Sequence, residues 1–388
     1  MSKSWNLFIS AGEESADLHS SRLCAELHQM LPGIHLFGFG GEKMKAAGVE
    51  ILYPLPRLAL IGFVEVIKHL PQVFQIRRQA IQSWKERRPD AVLLVDFPGF
   101  HLRLAKDARR LGIPVLYFIA PQVWAWRENR AETMRQVIDH LYVIFPFEEP
   151  FFQKHKIPTT YVGHPLIERI PPPEPSGMIP ADVLRNPRIG LLPGSRRNEL
   201  RHILPTLLRA AVRLRERRPE CRFFLPLADT LDESILQAFR LPSWIEVHRD
   251  PQYQLRRTLT FAWTASGTAT VENALLGLPM AVVYRTGRMN MFIGRRLVRV
   301  PYIGMVNLIA QKGICAEFVQ EQCQPEALAR HADELLSSPA RYEEMKQDLA
   351  RVRQKMGPTP ASLRAAQAIQ EFLVNHINGG QKEEGQKD

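Results

Sequence analysis

The sequence predicts an α/β protein built from two doubly wound parallel sheets in tandem. Three observations carry this prediction. Short apolar runs alternate with helical patterns over most of the 388 residues, the signature of parallel α/β structure. Glycine-bearing turns follow several of these runs, where ligands bind in such sheets. A proline-dense segment, IPPPEPSGMIPADVLRNP from Ile170 to Pro187, separates the two halves and reads as a stiff connector.

In the first half the strand candidates are Asn6–Ser10, His35–Gly38, Ala91–Val95, Val115–Ile119, Leu141–Phe145 and Thr160–Val162. Helical patterns fall between them, over Ser15–Leu31, Leu102–Leu111 and Asn129–Ile138. The second half offers strands at Arg188–Leu192, Arg222–Pro226, Glu246–His248, Leu259–Trp263 and Met280–Tyr284. Its intervening helices are Arg201–Arg217 and Thr270–Leu276. Three helices are expected at the end, Pro325–Leu336, Arg341–Lys355 and Ser362–His376, before a polar tail read as disordered. The expected domains are therefore 1–170 and 188–356, with a linker at 171–187, a terminal helix at 357–377 and a tail at 378–388. A cleft facing both sheets is the natural place for a ligand.

Hydrophobic residues make up 45% of the chain, enough for packed cores, and the formal net charge of +11 points to an anionic partner. Neither zinc-finger spacing nor an RNP-like motif occurs, so nucleic acid is not expected among the partners. Four scattered cysteines form no CxxC pair and read as reduced thiols in a cytosolic protein. No secretory leader or membrane-spanning run is visible, so any membrane contact is expected to be peripheral.

The most informative motif is Ser266 to Pro279, SGTATVENALLGLP. Ser266, Gly267 and Thr268 fall where a strand turns into a helix. Free N–H groups and partial positive charge at such a turn favour phosphate. Glu272, about one turn inside, could accept hydrogen bonds from ribose hydroxyls. Pro193–Glu199, PGSRRNE, repeats the design. Gly194 and Ser195 open a helix there, and the Arg196 guanidinium is suited to a phosphate. Together the two loops suggest a nucleoside diphosphate bound by the second half.

In the first half, Gly12, Glu13, Ser15 and Asp17 follow the first strand. An ordinary helix cap at Ser15 or Asp17 would explain them as well as a substrate site would. Asp96 ends an apolar strand in LVDFPGF. Partly desolvated there, it could serve as a general base, although a plain turn aspartate before proline fits the same pattern. In APQVWAWR the tryptophans suit packing, leaving Gln122 and Arg127 as polar candidates.

Two segments have the pattern of a lipid contact. LALIGFVEVIKHLPQV includes Phe63, though core packing is the commoner reason for such a stripe. MNMFIGRRLVRVPYI interleaves Met291 and Phe292 with Arg295, Arg296 and Arg299. No HExxH or paired His/Cys spacing occurs, so no bound metal is expected. GxGxxG, the P-loop and GxSxG are also absent, which weakens dehydrogenase, ATPase and serine hydrolase readings.

Taken in order, SAGEESADLH, GFGGEKM, LIGFVEV, LLVDFPGFHLRLA, IAPQVWAWR, GHPL, LLPGSRRNE, SGTATVENAL and MVNLIA resemble the lipid-A-disaccharide synthase family over residues 6 to 373. The resemblance implies a GT-B glycosyltransferase with two Rossmann-like domains facing a cleft and a C-terminal helix returning to the N-terminal domain. It implies inverting transfer of 2,3-diacylglucosamine from UDP-2,3-diacylglucosamine to 2,3-diacylglucosamine 1-phosphate, giving a β-1,6-linked disaccharide 1-phosphate and UDP. No cofactor or metal is implied. The implied location is the cytoplasmic face of the inner membrane, and oligomeric state is left open.

By the same resemblance Asp96 matches the family's general base, and Glu13 and Ser15 its N-terminal loop residues. Arg196 matches the arginine of the PGSR loop, Glu272 the acid at the ribose, and Asn307 a motif asparagine. The chain departs from the family pattern at Ala16 and Gly99, where glycine and aspartate are usual, and at Val306, where proline is usual. The alternatives are a UDP-sugar epimerase or another GT-B UDP-sugar transferase, and, outside enzymes, a membrane-surface binding protein.

Overall fold

The fold is taken from a computed structural model, which describes residues 4–54, 70–126, 128–173, 181–287, 300–357 and 360–384. Two compact units are present, Met1–Pro165 with Gly357–Asp388, and Leu166–Met356. Their division falls ahead of the proline-dense segment, of which residues 174–180 lie outside the described residues.

The first unit holds seven strands: β1 (Asn6–Ala11), β2 (His35–Gly40), β3 (Glu50–Pro54), β4 (Ala91–Val95), β5 (Val115–Phe118), β6 (His140–Val143) and β7 (Thr159–Tyr161). Every pairing is parallel, in the order β3-β2-β1-β4-β5-β6-β7. The chain winds one way from β1 and the other way from β4, so the strand order reverses between them. β4 is buried on both faces, as expected of a central parallel strand. On one side Phe8 meets Phe37, Phe39 and Trp84 edge-to-face at 5.2–5.6 Å.

The terminal helix, Ala361–Glu384, lays Ala361, Ala365, Ile369 and Leu373 into this unit at i, i+4 spacing. Its backbone accepts a bond from the Tyr142 hydroxyl, and Gln370 donates to Met30 O at the end of the helix Glu14–Met30. This helix continues past residue 377 to Glu384. Gly379 and Gly380 lower helix propensity by about 1 kcal/mol each, but good helix formers follow them.

The second unit holds β8 (Arg188–Leu192), β9 (Arg222–Leu227), β10 (Ile245–Arg249), β11 (Phe261–Ala265), β12 (Met280–Tyr284) and β13 (Glu317–Val319). They too pair in parallel, in the order β10-β9-β8-β11-β12-β13, and the order reverses between β8 and β11. The helix Pro325–Leu336 buries Leu328, Ala332 and Leu335, and Leu328 O accepts the Trp263 indole N–H. Among the described residues no helix is long and apolar enough to cross a membrane.

The sequence misses β3 and β13, both short edge strands. It also begins β11 two residues early, because the apolar run includes Leu259 ahead of the first ladder residue. The helix expected from Leu102 starts at Pro98, with proline in the first turn, where its missing N–H costs nothing.

Candidate functional site

In the second unit, four strands end around one cavity of about 500 Å³. It lies at the reversal point between β8 and β11, the position where open α/β sheets hold ligands. Gly194, Ser195, Arg196, Ser266, Gly267, Thr268 and Glu272 all line it. Two loops far apart in the sequence therefore meet at one cavity.

After β8 the chain turns at Gly194 with φ +109°, a left-handed conformation suited to glycine. A Cβ here would stand 2.2 Å from the Glu199 carboxylate, so the position is also closed by space. Glu199 accepts the Ser195 and Arg196 N–H groups at 3.0 and 3.3 Å. It thereby holds the loop at the start of the helix Arg197–Arg217. The Arg196 side chain pairs with Glu199 at 3.3 Å but is 83% exposed, with room to swing toward an anion.

β11 leads into Ser266 and Gly267, with Gly267 at φ +137° and open space where a Cβ would be. The helix Thr268–Leu276 begins there. Ser266 donates its hydroxyl to Ile303 O at 2.7 Å, so this side chain anchors the turn.

Glu272 is held by residues the sequence did not single out. Its carboxylate accepts the Tyr253 hydroxyl at 3.0 Å and an Arg256 guanidinium N–H at 2.7 Å. Arg256 also packs over the Tyr253 ring and bonds Asp250 at 3.2 Å. Tyr253, Arg256 and Asp250 follow β10 in DPQYQLRR, which carries no known motif, and only tertiary contact reveals them. Carboxylate oxygens accept more than one bond each, so Glu272 keeps capacity for further donors.

Asn307 is not among the cavity residues. It is fully buried, its amide donates to Cys315 O and Glu317, and its oxygen accepts from Cys315 N–H. With both donors consumed inside the fold, it cannot donate to a substrate. It sits in the core, on the helix Met305–Ala310, rather than on a strand-end loop.

In the first unit, Asp96 follows β4, beside β1 at the reversal of strand order. Asp96 and Phe97 both adopt left-handed conformations, with φ of 50° and 51°. Such residues cost about 1–3 kcal/mol each and persist where the surroundings fix them. Asp96 N–H donates to Phe118 O at 3.0 Å, and Asp96 O accepts the Tyr117 hydroxyl at 2.6 Å.

Asp96 O also takes the His101 Nδ1–H at 2.7 Å. A carbonyl only accepts, so Nδ1 carries the proton. Burial pushes His101 down to about 4, so the ring is neutral and Nε2 accepts from Ser10 Oγ at 2.9 Å. Gly12 lies flush against Phe97, where a Cβ would come within 2.3 Å of the ring.

Burial raises the Asp96 carboxyl from 3.8 to about 6; the Phe97 N–H opposes this and the charge of Glu13 adds to it. Glu13 and Ser15 are exposed at the start of the helix Glu14–Met30. Neither Ser15 nor Asp17 caps that helix, whose cap position is Glu13. Asp17 instead accepts the Gly41, Lys43 and Met44 N–H groups and so caps the helix Glu42–Ala46.

Glu148 is a buried carboxyl that the sequence did not single out. It accepts from the Trp124 indole at 3.0 Å and from the Ile144 and Phe145 N–H groups. Burial lifts it to about 7, with Asp96 contributing. Trp124 is thus pinned, in keeping with a packing role, while Gln122 is exposed. Gly99 is exposed, with nothing within 4 Å of where a Cβ would stand. Arg127, Phe63, Met291, Phe292, Arg295, Arg296 and Arg299 lie outside the described residues.

A family model described as lipid-A-disaccharide synthetase matches residues 7–372. Among curated relatives, the lipid-A-disaccharide synthase of Nitrosococcus oceani is 39% identical over 378 residues, covering 96% of each chain. That of Geobacter sulfurreducens is 37% identical, covering 96% of this chain and 99% of the relative. Among solved structures, a glycosyltransferase of kitacinnamycin superposes with a TM-score of 0.63 at 17% identity, covering 96% of this chain and all of its own. A UDP-GlcNAc 2-epimerase from Neisseria meningitidis bound to UDP-GlcNAc gives 0.62 at 13% identity, covering 95% and 99%. At these identities the structures share the fold alone, which is GT-B.

Proposed function

The chain belongs to the lipid-A-disaccharide synthase family, a family of glycosyltransferases, and from that premise we propose how its own residues carry out the transfer. The donor is UDP-2,3-diacylglucosamine and the acceptor 2,3-diacylglucosamine 1-phosphate. The acceptor 6-hydroxyl attacks the anomeric carbon, the bond to the UDP oxygen breaks, and configuration inverts. Asp96 takes the hydroxyl proton. A carboxyl moved to about 6 is still mostly ionised at neutral pH and is a stronger base than an ordinary aspartate. Glu13 keeps its basicity up through like charge, and Ser15 and Gln122 are the exposed polar groups for the acceptor sugar.

UDP leaves with charge developing on its β-phosphate. The Gly267–Thr268 N–H groups, with the Arg196 guanidinium, stabilise that charge. Glu272, oriented by Tyr253 and Arg256, receives the ribose hydroxyls. The observation that carries this assignment is the convergence of two separate glycine turns and Glu272 on one cavity.

Both substrates carry acyl chains, which supports peripheral association with an anionic membrane surface on its cytoplasmic face. The arginine-rich segment with Met291 and Phe292 is the sequence feature that suits it. The test is disaccharide formation from the two acyl-sugars in detergent, measured by mass spectrometry for the wild type and Asp96→Asn. Failure to form product in a protein that binds UDP, with epimerisation of UDP-N-acetylglucosamine instead, would overturn the proposal.

A further inference from the structure

Glu317, the first residue of the edge strand β13, lies outside the cavity yet makes three hydrogen bonds behind it. One carboxylate oxygen accepts the Gly304 N–H at 2.9 Å and an Asn307 amide N–H at 2.8 Å. The other accepts the Ile303 N–H at 2.9 Å. The carbonyl of that same Ile303 receives the Ser266 hydroxyl at 2.7 Å. Ser266 N–H in turn donates to Val283 O at 3.0 Å. A continuous path therefore runs from Asn307 through Glu317 and Ile303 to Ser266, which opens the turn Ser266–Gly267–Thr268.

Space closes the same path. A Cβ on Gly304 would stand 2.9 Å from Val282 and 3.1 Å from the Glu317 carboxylate, so the backbone passes directly over the carboxylate. Asn307 is locked from the other side by both bonds to Cys315. Both N–H groups of Ile303–Gly304 are thus held by the one carboxylate that also binds Asn307. Disturbing this partly buried carboxylate would leave several N–H groups without their partner at once.

We propose that Glu317 is a positioning residue for donor binding: through Ile303 it fixes Ser266, and so holds the Ser266–Gly267–Thr268 turn in the geometry that receives the nucleotide's phosphates. The inference rests on the reading of the cavity as the UDP site. It also gives Asn307 a functional part without substrate contact, since Asn307 orients Glu317.

The experiment is calorimetric titration of UDP into the full chain, with melting temperature and both KM values recorded. Three variants are compared with wild type: Glu317→Gln, Ser266→Ala and the double variant. Glu317→Gln sets an amide N–H against backbone N–H donors while keeping side-chain size. Ser266→Ala deletes only the hydroxyl at the far end of the path. The expected result is a Kd for UDP raised about tenfold or more in each single variant, with the donor KM rising and the acceptor KM unchanged. The double variant should be no worse than the weaker-binding single variant, because both cut one path.

Ser266→Ala binding UDP within about twofold of wild type overturns the proposal, whether or not Glu317→Gln folds. Effects that multiply in the double variant overturn it too, since they place the residues on separate paths. Wild-type protein that does not bind UDP would remove the donor-site reading itself and this inference with it.

Discussion

Replacing Asp96 with asparagine removes a proton acceptor and leaves the backbone beneath it in place. Asparagine tolerates the left-handed region well, and Asp96 occupies it at φ 50°. General-base catalysis contributes about 10²–10⁴-fold, so turnover should fall by that factor while UDP binding stays close to wild type. Stability should move the other way. The Asp96 carboxyl sits at about 6 when folded, against an ordinary 3.8. The folded state therefore holds the proton more tightly than the unfolded chain, and stability is lost as pH rises from the lower value through the higher. At about 1.36 kcal/mol per pH unit, the ionised group costs up to about 3 kcal/mol by roughly pH 7.5. The neutral amide of the variant carries no such cost. Thermal unfolding at about pH 7.5 should show the variant melting higher, and the difference should vanish near pH 4. Wild-type kcat/KM should rise with pH through about 6. Near-normal turnover, or a variant that melts lower under the alkaline condition, would contradict the role given to Asp96.

Other consequences follow from named contacts. Arg196→Gln should weaken UDP binding by about 10–100-fold, the range for a charge-assisted hydrogen bond of about 1.5–3 kcal/mol. The melting temperature should hardly move, because the side chain is 83% exposed; titration calorimetry and a melting curve decide it. His101 is neutral when folded, titrating at about 4 against an ordinary 6.5. The unfolded chain thus takes up the proton first, and stability falls as pH drops from 6.5 toward 4. His101→Gln should remove roughly 2–3 kcal/mol of that loss between about pH 6.5 and 4.5, visible in urea unfolding at the two pH values. Replacing Arg295, Arg296 and Arg299 together by serine should reduce co-sedimentation with anionic vesicles. Unchanged sedimentation would count against the lipid-contact assignment.

The sequence exposed what local chemistry encodes. The strands at Ala91–Val95, Arg188–Leu192 and Met280–Tyr284 were legible to the residue, because central parallel strands are continuous apolar runs bounded by turns. The glycines of both phosphate-type turns were legible for a related reason: few residues suit φ of +109° or +137°. The edge strands β3 and β13 were not. Glu317–Val319 is three residues long and only partly buried, so it leaves no period to read. Its importance comes from Ile303, Gly304 and Asn307 meeting one carboxylate, a contact between loops that no spacing reports. His101 was hidden in the same way. Its role is visible only once its helix presents the ring to the carbonyl of Asp96. Asp17 reads in the sequence as a cap for its own helix, but tertiary packing turns it to another.

The most direct test of the account remains the transfer reaction. Purified protein is mixed with UDP-2,3-diacylglucosamine and 2,3-diacylglucosamine 1-phosphate in detergent with EDTA, and product is followed by mass spectrometry for wild type and Asp96→Asn. The wild type should give disaccharide 1-phosphate and UDP in equal amounts, with product cut at least about a hundredfold in the variant. Equal product from both proteins would contradict the assignment of Asp96, and no product from a folded wild-type protein that binds UDP would contradict the transferase itself.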